Sequence, residues 1–279
     1  MKIIERTDEL FPRKLLQVKP KIERIYVEGD ETILNNFGLA VIGSRNSSKE
    51  GEKLTDEFVS RLVKNNINII SGMAIGIDSK AHRACMTNGG KTIAIIGSGF
   101  DNIYPKENIG LFQKIIETGG AVISEYPPEA EVATENFPRR NRIVSGLSDG
   151  VLVIEGKYRS GTTITAKYAF EQKKPVFCMP HSVFNSYGTG PNWLIQKGGI
   201  LVTNQQDIID YYQSKGIEFQ TVQNKRKYYD DEILQLLSEE ILTKEELTEK
   251  LNKTISEINQ RLTMLELDGI ISEEYRERV

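Results

Sequence analysis

Residues 137 to 143 read Phe-Pro-Arg-Arg-Asn-Arg-Ile, which sets three arginines, an amide and an aromatic ring between two apolar segments. A guanidinium is a planar fork of donors matched to phosphate oxygens, and a neighbouring Phe offers a flat face to a nucleobase. Together they have the makings of a phosphate-and-base clamp. The same residues also suit an exposed helix start, with Asn136 or Thr134 as cap and Pro138 in the first turn. Other short segments carry related chemistry: Gly43-Ser44-Arg45, Ser71 to Asp78 with Gly72 and Gly76, Gly97-Ser98-Gly99, and Arg159-Ser160-Gly161-Thr162-Thr163. Glycine permits close backbone approach, hydroxyls donate to anions, and a helix that follows turns its free amides toward negative charge. Singly these segments are weak signals; Ser71 to Asp78 suits simple close packing equally well. Gly97-Ser98-Gly99 has Asn102 where a dinucleotide fingerprint needs its third glycine, which counts against a nicotinamide enzyme.

Each of these turns follows a short apolar run. Strands are expected at Leu39–Ile42, Ile67–Ile70, Thr92–Ile96, Ala121–Ser124, Val151–Ile154, Val176–Cys178 and Ile200–Val202. Most are almost continuously hydrophobic, as in a parallel sheet covered on both faces. Amphipathic patterns near Ser48–Asn65, Gly76–Asn88, Asn108–Thr118, Pro138–Leu147 and Thr163–Gln172 alternate with them. This is the βαβα order of an α/β, doubly wound fold, whose ligands gather at the carboxyl ends of the strands. Residues 1–38 read as an N-terminal leader or edge element, 39–212 as the main domain, and 213–227 as a polar linker. In residues 228–279, Ile233, Leu234 and Leu237, then Leu247 and Leu251, then Ile255, Ile258, Leu262 and Leu265 repeat at helical spacing. With Asp268-Gly269-Ile270-Ile271 as the turn into a hairpin, they predict a small winged-helix-like domain.

The 279 residues, 39% hydrophobic and 27% charged, suit one large globular domain and a small one. A net charge of -3 conceals an asymmetry: Tyr228 to Val279 holds 14 acidic and 6 basic residues, net -8, and the remainder 25 acidic and 30 basic, net +5. The basic body suits a polyanion. The acidic tail, with Glu257 and Glu266 against Arg261 on its third helix, suits protein contact better than DNA. No apolar run approaches the ~18 residues of a membrane span, and the polar start is unlike a signal peptide, so a cytoplasmic location is expected. Cys85 and Cys178 lack CxxC spacing and read as reduced, buried side chains; with two histidines no soft-metal site is legible, and no metal or cofactor is expected.

Ala40-Val-Ile-Gly-Ser-Arg45, Ser71-Gly-Met-Ala-Ile-Gly-Ile-Asp78 with Ala81-His82, Thr92 to Gly97 through Tyr104-Pro105, Phe137 to Ile143, Ser160-Gly-Thr162 through Thr165-Ala166, and Gly190-Pro-Asn-Trp-Leu-Ile195 follow in order across residues 11–203. In these motifs the chain resembles the DNA-processing protein A family (DprA, also called Smf). The resemblance implies an extended Rossmann-like, mostly parallel domain that binds single-stranded DNA, forms a homodimer and helps load the RecA recombinase during natural transformation. It also implies roles: Gly43, Ser44 and Arg45 on backbone phosphate, Arg140, Asn141 and Arg142 lining the same basic pocket, and Phe137 stacked on a base. Ser71, Gly72, Ser160, Gly161 and Thr162 would form the pocket floor. Lys157, Arg159 and Lys167 join by position and charge. The family's usual glycine after Pro180 is His181 here, and its usual Gly-Arg pair is Lys173-Lys174, which is costly wherever the turn needs positive φ. No counterpart of the helical N-terminal domain of many members is expected in this sequence.

The rival class is an enzyme, a nucleotide-binding phosphoribohydrolase of a related Rossmann-like fold. Its motif has a glutamate where this chain has Thr165, so the acid that such chemistry needs is missing. His82 lies four residues after Asp78, a spacing for a capping or packing pair more than for a catalytic relay.

Overall fold

The computed structural model describes residues 1–219, 232–239 and 242–267. The chain divides into two compact units, Met1–Val222 and Gln223–Val279.

The first unit is built on the apolar runs. Its strands are β1 (Lys2–Glu5), β2 (Arg24–Gly29), β3 (Gly38–Ile42), β4 (Asn68–Ser71), β5 (Thr92–Ile96), β6 (Ala121–Ser124), β7 (Gly150–Val153), β8 (Val176–Cys178) and β9 (Ile200–Leu201). They form a nine-stranded sheet ordered β1-β2-β6-β5-β4-β3-β7-β8-β9. From β6 to β9 every pairing is parallel, whereas β1 and β2 add an antiparallel edge with β2 against β6. The continuous hydrophobicity follows from cover on both faces. In β3, Ala40 and Ile42 face one core and Leu39 and Val41 the other.

The helices are α1 (Lys49–Lys64), α2 (Ile77–Thr87), α3 (Ile109–Glu117), α4 (Asn136–Leu147), α5 (Gly161–Glu171), α6 (Thr189–Gln196) and α7 (Gln205–Gln213). One face of the sheet is covered by α4 and α5 through Ile143, Val144, Leu147, Ala166 and Ala169. The other receives Phe58, Val59 and Leu62 of α1, Ile77 and Ala81 of α2, and Ile208 and Tyr212 of α7. The leader is more than an edge: Phe11, Leu15, Val18, Ile22 and Ile25 are buried in the α4 and α5 core. A side chain at Gly146 of α4 would lie 2.4 Å from Val18, so the leader packs directly on that helix.

Two helices lie where periodicity predicts none. Gly190-Pro191 in its first turn disguises α6, although Pro is tolerated there. The polar α7 starts from Asn204, whose side chain accepts from the amides of Gln206 and Asp207. The segment read as linker is folded up to Phe219, whose ring meets Phe37 at 5.0 Å, edge-on. Neither Thr134 nor Asn136 caps α4, which begins at Asn136 after Glu135 with no side-chain cap.

In the second unit, α8 (Glu232–Glu239), α9 (Lys244–Leu251) and α10 (Ile255–Leu267) occupy the expected helical positions. Ile233, Leu242, Leu247, Ile258 and Leu262 form their core. Thr243 and Glu246 make a reciprocal capping box at the start of α9. The hairpin expected from Asp268 lies outside the described residues. Among the described residues no helix is long and apolar enough to cross a membrane.

Cys85 and Cys178 are buried free thiols, each pushed up to about 12 by burial. His82 is a core residue with Nδ1 2.7 Å from Thr92 Oγ1, and that hydroxyl donates to Ile69 O. Its partner is thus Thr92, not Asp78. Burial, then the positive charges of Arg140 and Arg83, lowers it to about 3. Between pH 6.5 and that value the unfolded chain takes up a proton that the folded one refuses, so this contribution to stability is lost as pH falls. Urea unfolding of the wild type at pH 7 and pH 5 should differ by about 2 kcal/mol more than that of His82→Gln. An identical pH dependence in the two proteins would assign the titration to another group.

Candidate nucleic-acid interface

In strand order, β3 lies between β4 and β7, and the chain proceeds from it toward one edge and later toward the other. A crevice opens at the carboxyl ends of strands at such a point. Here it is a cleft of about 620 Å³, lined from Gly43 to Asn46 after β3, by Gly72 and Ala74 after β4, and by Asp78 in α2. Its other walls are Phe137, Arg140 and Asn141 of α4, Lys157 after β7, Ser160, Gly161 and Thr162 at the start of α5, and the rings of Tyr104 and Tyr187.

The two glycine turns interlock. Gly76 has φ +78°, and a Cβ there would lie 2.3 Å from Ser44 O, while the Ile77 amide donates to that same carbonyl at 3.1 Å. The first turn of α2 therefore rests on the Gly43-Ser44-Arg45 turn. Ser44 is less free than its type suggests, because its hydroxyl donates to Asn46 O at 2.8 Å.

Arg140 is the buried cation of the cleft, 4% exposed, with Nη1 donating to Gly72 O and Ile95 O. Asp78 lies beside it and accepts from the Gly72 amide at 3.1 Å. A side chain on Gly72 would come within 2.7 Å of both Arg140 Nη1 and Asp78 Oδ2, so glycine leaves the slot through which the guanidinium passes. Burial lowers Arg140 to about 10, with Asp78 pulling the other way; the side chain stays charged at neutral pH. Burial also raises Asp78, opposed by Arg140 and by the amides of Ala74 and Gly72. Arg140 Nε has no partner within the protein.

At the mouth, exposed Arg45 holds its guanidinium 5.9 Å from the centroid of half-buried Phe137. Tyr104 packs on Phe137 at 5.4 Å. A base entering here meets an aromatic surface already backed by a second ring, with a cation beside it. Asn141 reaches the carbonyl of Gly161 at 3.4 Å and joins α4 to α5.

The helix amino termini differ. That of α1 is already served: Ser48 Oγ accepts from the Gly51 amide, and the buried Glu155 carboxylate accepts from both the amide and the hydroxyl of Ser48. The expectation that α1 presents free amides to an anion therefore gives way to a carboxylate held at its end. That of α5 lines the cleft, and its N-cap Ser160 forms a capping box with Thr163, whose Oγ1 accepts from the Ser160 amide at 3.1 Å, with no carboxylate at this end.

Gly43, Ser44, Arg45, Gly72, Phe137, Arg140, Asn141, Ser160, Gly161 and Thr162 thus converge on one cleft, with Lys157. Ser71, Arg142 and Lys167 are not among its lining residues. Ser71 is buried and donates to Val41 O at 2.7 Å. Arg142 is fully buried and pairs with Glu125 at 2.7 Å, because two residues along a helix turn its side chain away from that of Arg140. Lys167 lies exposed further along α5. Arg159 is also exposed, over the ring of Tyr158 at 5.3 Å.

Asn46, Ala74, Tyr104 and Tyr187 line the cleft without having been singled out for it. Ala74 and Tyr104 had a signal, as parts of the Ser71 to Asp78 and Tyr104-Pro105 motifs, whereas Asn46 and Tyr187 had none. Of the two glycine departures, only one meets positive φ. Lys173 has φ +57°, a left-handed position that suits glycine, whereas His181 is not in that region. His181 Nε2 instead donates to Ile154 O at 2.8 Å. Lys174 donates to the carbonyls of Ser145, Gly146 and Ser148 at the end of α4.

Known proteins share this frame. Protein Smf of Escherichia coli K12 is 36% identical over 97% of this chain and 75% of its own length. DNA processing protein DprA of Streptococcus pneumoniae R6 is 41% identical over 72% of this chain and 71% of its own. Among solved structures, DNA processing protein A from Streptococcus pneumoniae superposes with a TM-score of 0.70 at 38% identity, covering 75% of this chain and 73% of that one. A structure describing the single-stranded DNA binding mode of DNA processing protein A from Helicobacter pylori gives 0.69 at 29% identity, covering 77% and 96%. The family model for DNA recombination-mediator protein A matches residues 2–213, the sheet with its leader and helices, and the chain belongs to that family.

Proposed function

We propose that the protein is a recombination mediator that binds single-stranded DNA in the cleft, protects the strand and helps load RecA during natural transformation. The observation that carries this reading is the cluster of Arg45, Phe137 and Tyr104 at the mouth of a cleft whose wall includes the buried cation Arg140. Arg45 and Lys157 would meet backbone phosphates, Ser160 and the amides opening α5 a further phosphate, and Phe137 a base. Such contacts tolerate any sequence and weaken with salt. Two copies of the chain would form the working homodimer in the cytoplasm, so that one strand engages two clefts at high effective concentration.

The role is binding, without catalysis. Thr165 stands where the phosphoribohydrolase motif has its glutamate, with its hydroxyl engaged by Gly161 O at 3.2 Å. Asp78, the carboxylate lining the cleft, is committed to the Gly72 amide and to Arg140.

Binding of fluorescent poly-dT across a salt series, with duplex and a nucleoside monophosphate as competitors and base release monitored, tests the whole reading. Strand-selective, salt-steep binding without base release supports it; displacement by the monophosphate with release of base overturns it. Arg45→Ala should cost about 1–3 kcal/mol for all sequences alike and lower the salt slope by about 1. Phe137→Ala should cost ~1–3 kcal/mol per unstacked base with little change in slope. Glu125→Gln should instead cost about 3–5 kcal/mol of folding stability, by leaving Arg142 buried and unpaired, and leave the salt slope of the folded protein unchanged. Affinity that fails to rise with strand length would count against the two-cleft arrangement.

A further inference from the structure

Phe184 is 96% exposed and its neighbour Val183 81%, the most exposed large apolar side chains among the described residues. Solvent would be expected to drive such a pair inward unless something holds it out. The segment carrying them follows β8 and so emerges at the same edge of the sheet as the cleft.

Its base is fixed. His181 Nε2 donates to Ile154 O at 2.8 Å, and Asn192 clamps the His181 backbone, accepting from its amide at 3.1 Å and donating to its carbonyl at 2.9 Å. At the other end the Gly156 amide donates to Tyr187 O at 2.6 Å. The Tyr187 ring lines the cleft, and its hydroxyl accepts from Asn46 Nδ2 at 3.2 Å. The segment is thus tied at one end to the cleft wall, with Phe184 at its outer bend.

The surroundings suit a polyanion. From Gln172 to Gln206 the chain contains no Asp or Glu, so the segment carrying Phe184 sets no carboxylate against a polyanion. In the adjoining turn after β7, Lys157 lines the cleft and Arg159 stands exposed over Tyr158. A single Phe side chain buries about 150–250 Å², far short of the ~800 Å² per partner of a stable protein interface, but it matches one nucleobase face.

We propose that Phe184 is a second stacking station, on which a base of the single strand lies after the strand leaves the cleft past Tyr187 and Lys157. The station lengthens the strand the protein holds and makes affinity depend on length even within one subunit. It rests on the single-strand reading of the cleft, and its test separates the two.

Binding of oligo-dT from about 4 to about 16 nucleotides, the span of typical single-strand sites, should be measured at fixed salt for wild type, Phe184→Ala and Phe184→Trp, with the self-association of each followed by sedimentation. Phe184→Ala should leave the shortest strands that bind unaffected and weaken longer ones about tenfold, and Phe184→Trp should restore the loss. A 5-iodouracil placed outside the cleft-bound stretch should crosslink to residue 184 in the wild type. Equal affinity of wild type and Phe184→Ala at every length overturns the station while leaving the cleft intact. A loss explained by a change in self-association overturns it in favour of a contact between copies of the chain. Failure of the wild type to bind any strand removes the cleft reading itself, and the station with it.

Discussion

The cleft depends on one buried cation. Arg140 brings a guanidinium from α4 to the carboxyl ends of β4 and β5, where the carbonyls of Gly72 and Ile95 take Nη1 and Asp78 stands alongside. A buried charge is tolerated only when paired and hydrogen-bonded, so this placement constrains everything around it. It needs strand ends whose last carbonyls are free of the ladder, a residue without a side chain at position 72, and an acid in the first turn of the helix after β4. The sequence from Ser71 to Asp78 meets these needs, with Gly72 and Asp78 six residues apart and Gly76 bringing the helix back against the neighbouring turn. What reads as close packing and what reads as ligand contact are here one requirement.

The second constraint is where negative charge is already present. The helix after β3 has the position of the phosphate-binding helix of a doubly wound fold, yet the carboxylate of Glu155 is held at its first turn through Ser48. A side chain at Gly51 would lie 2.5 Å from that carboxylate, so the acid is packed into the helix end. A negative charge therefore already sits at the end of α1, whereas the end of α5 carries only the uncharged Ser160–Thr163 capping box. The protein's own carboxylate leaves α5, and not α1, as the helix end in the cleft without a fixed negative charge.

Much of this frame was legible in the sequence, and the losses have physical reasons. Strands covered on both faces announce themselves as continuous apolar runs, so β3 to β8 lie within a residue or so of their expected positions. The helix α6, with glycine and proline in its first turn, gives no such sign, and α7 is polar where it faces water. Composition weighed Arg140 and Arg142 alike, because both are arginines of one motif. Only the helix separates them, turning Arg140 to the cleft and Arg142 to Glu125 in the interior. Likewise Lys173 and His181 were equal departures from glycine until backbone geometry showed that only Lys173 occupies the left-handed region.

An acid in a cleft suited to anions looks self-defeating, and its placement explains why it is not. Asp78 is buried, accepts from the Gly72 amide, and lies against the cation that it offsets. The pair cancels at a distance, so Arg140 adds less to the far field than its charge suggests and more to the shape and local donor set of the wall. Long-range attraction then falls to the exposed cations Arg45, Lys157 and Arg159, whose interactions salt screens readily. The near contacts remain: an unpartnered Nε on Arg140, the Ser160 hydroxyl and the face of Phe137. Attraction and fit are therefore carried by different side chains of the same cleft, and salt acts mainly on the first.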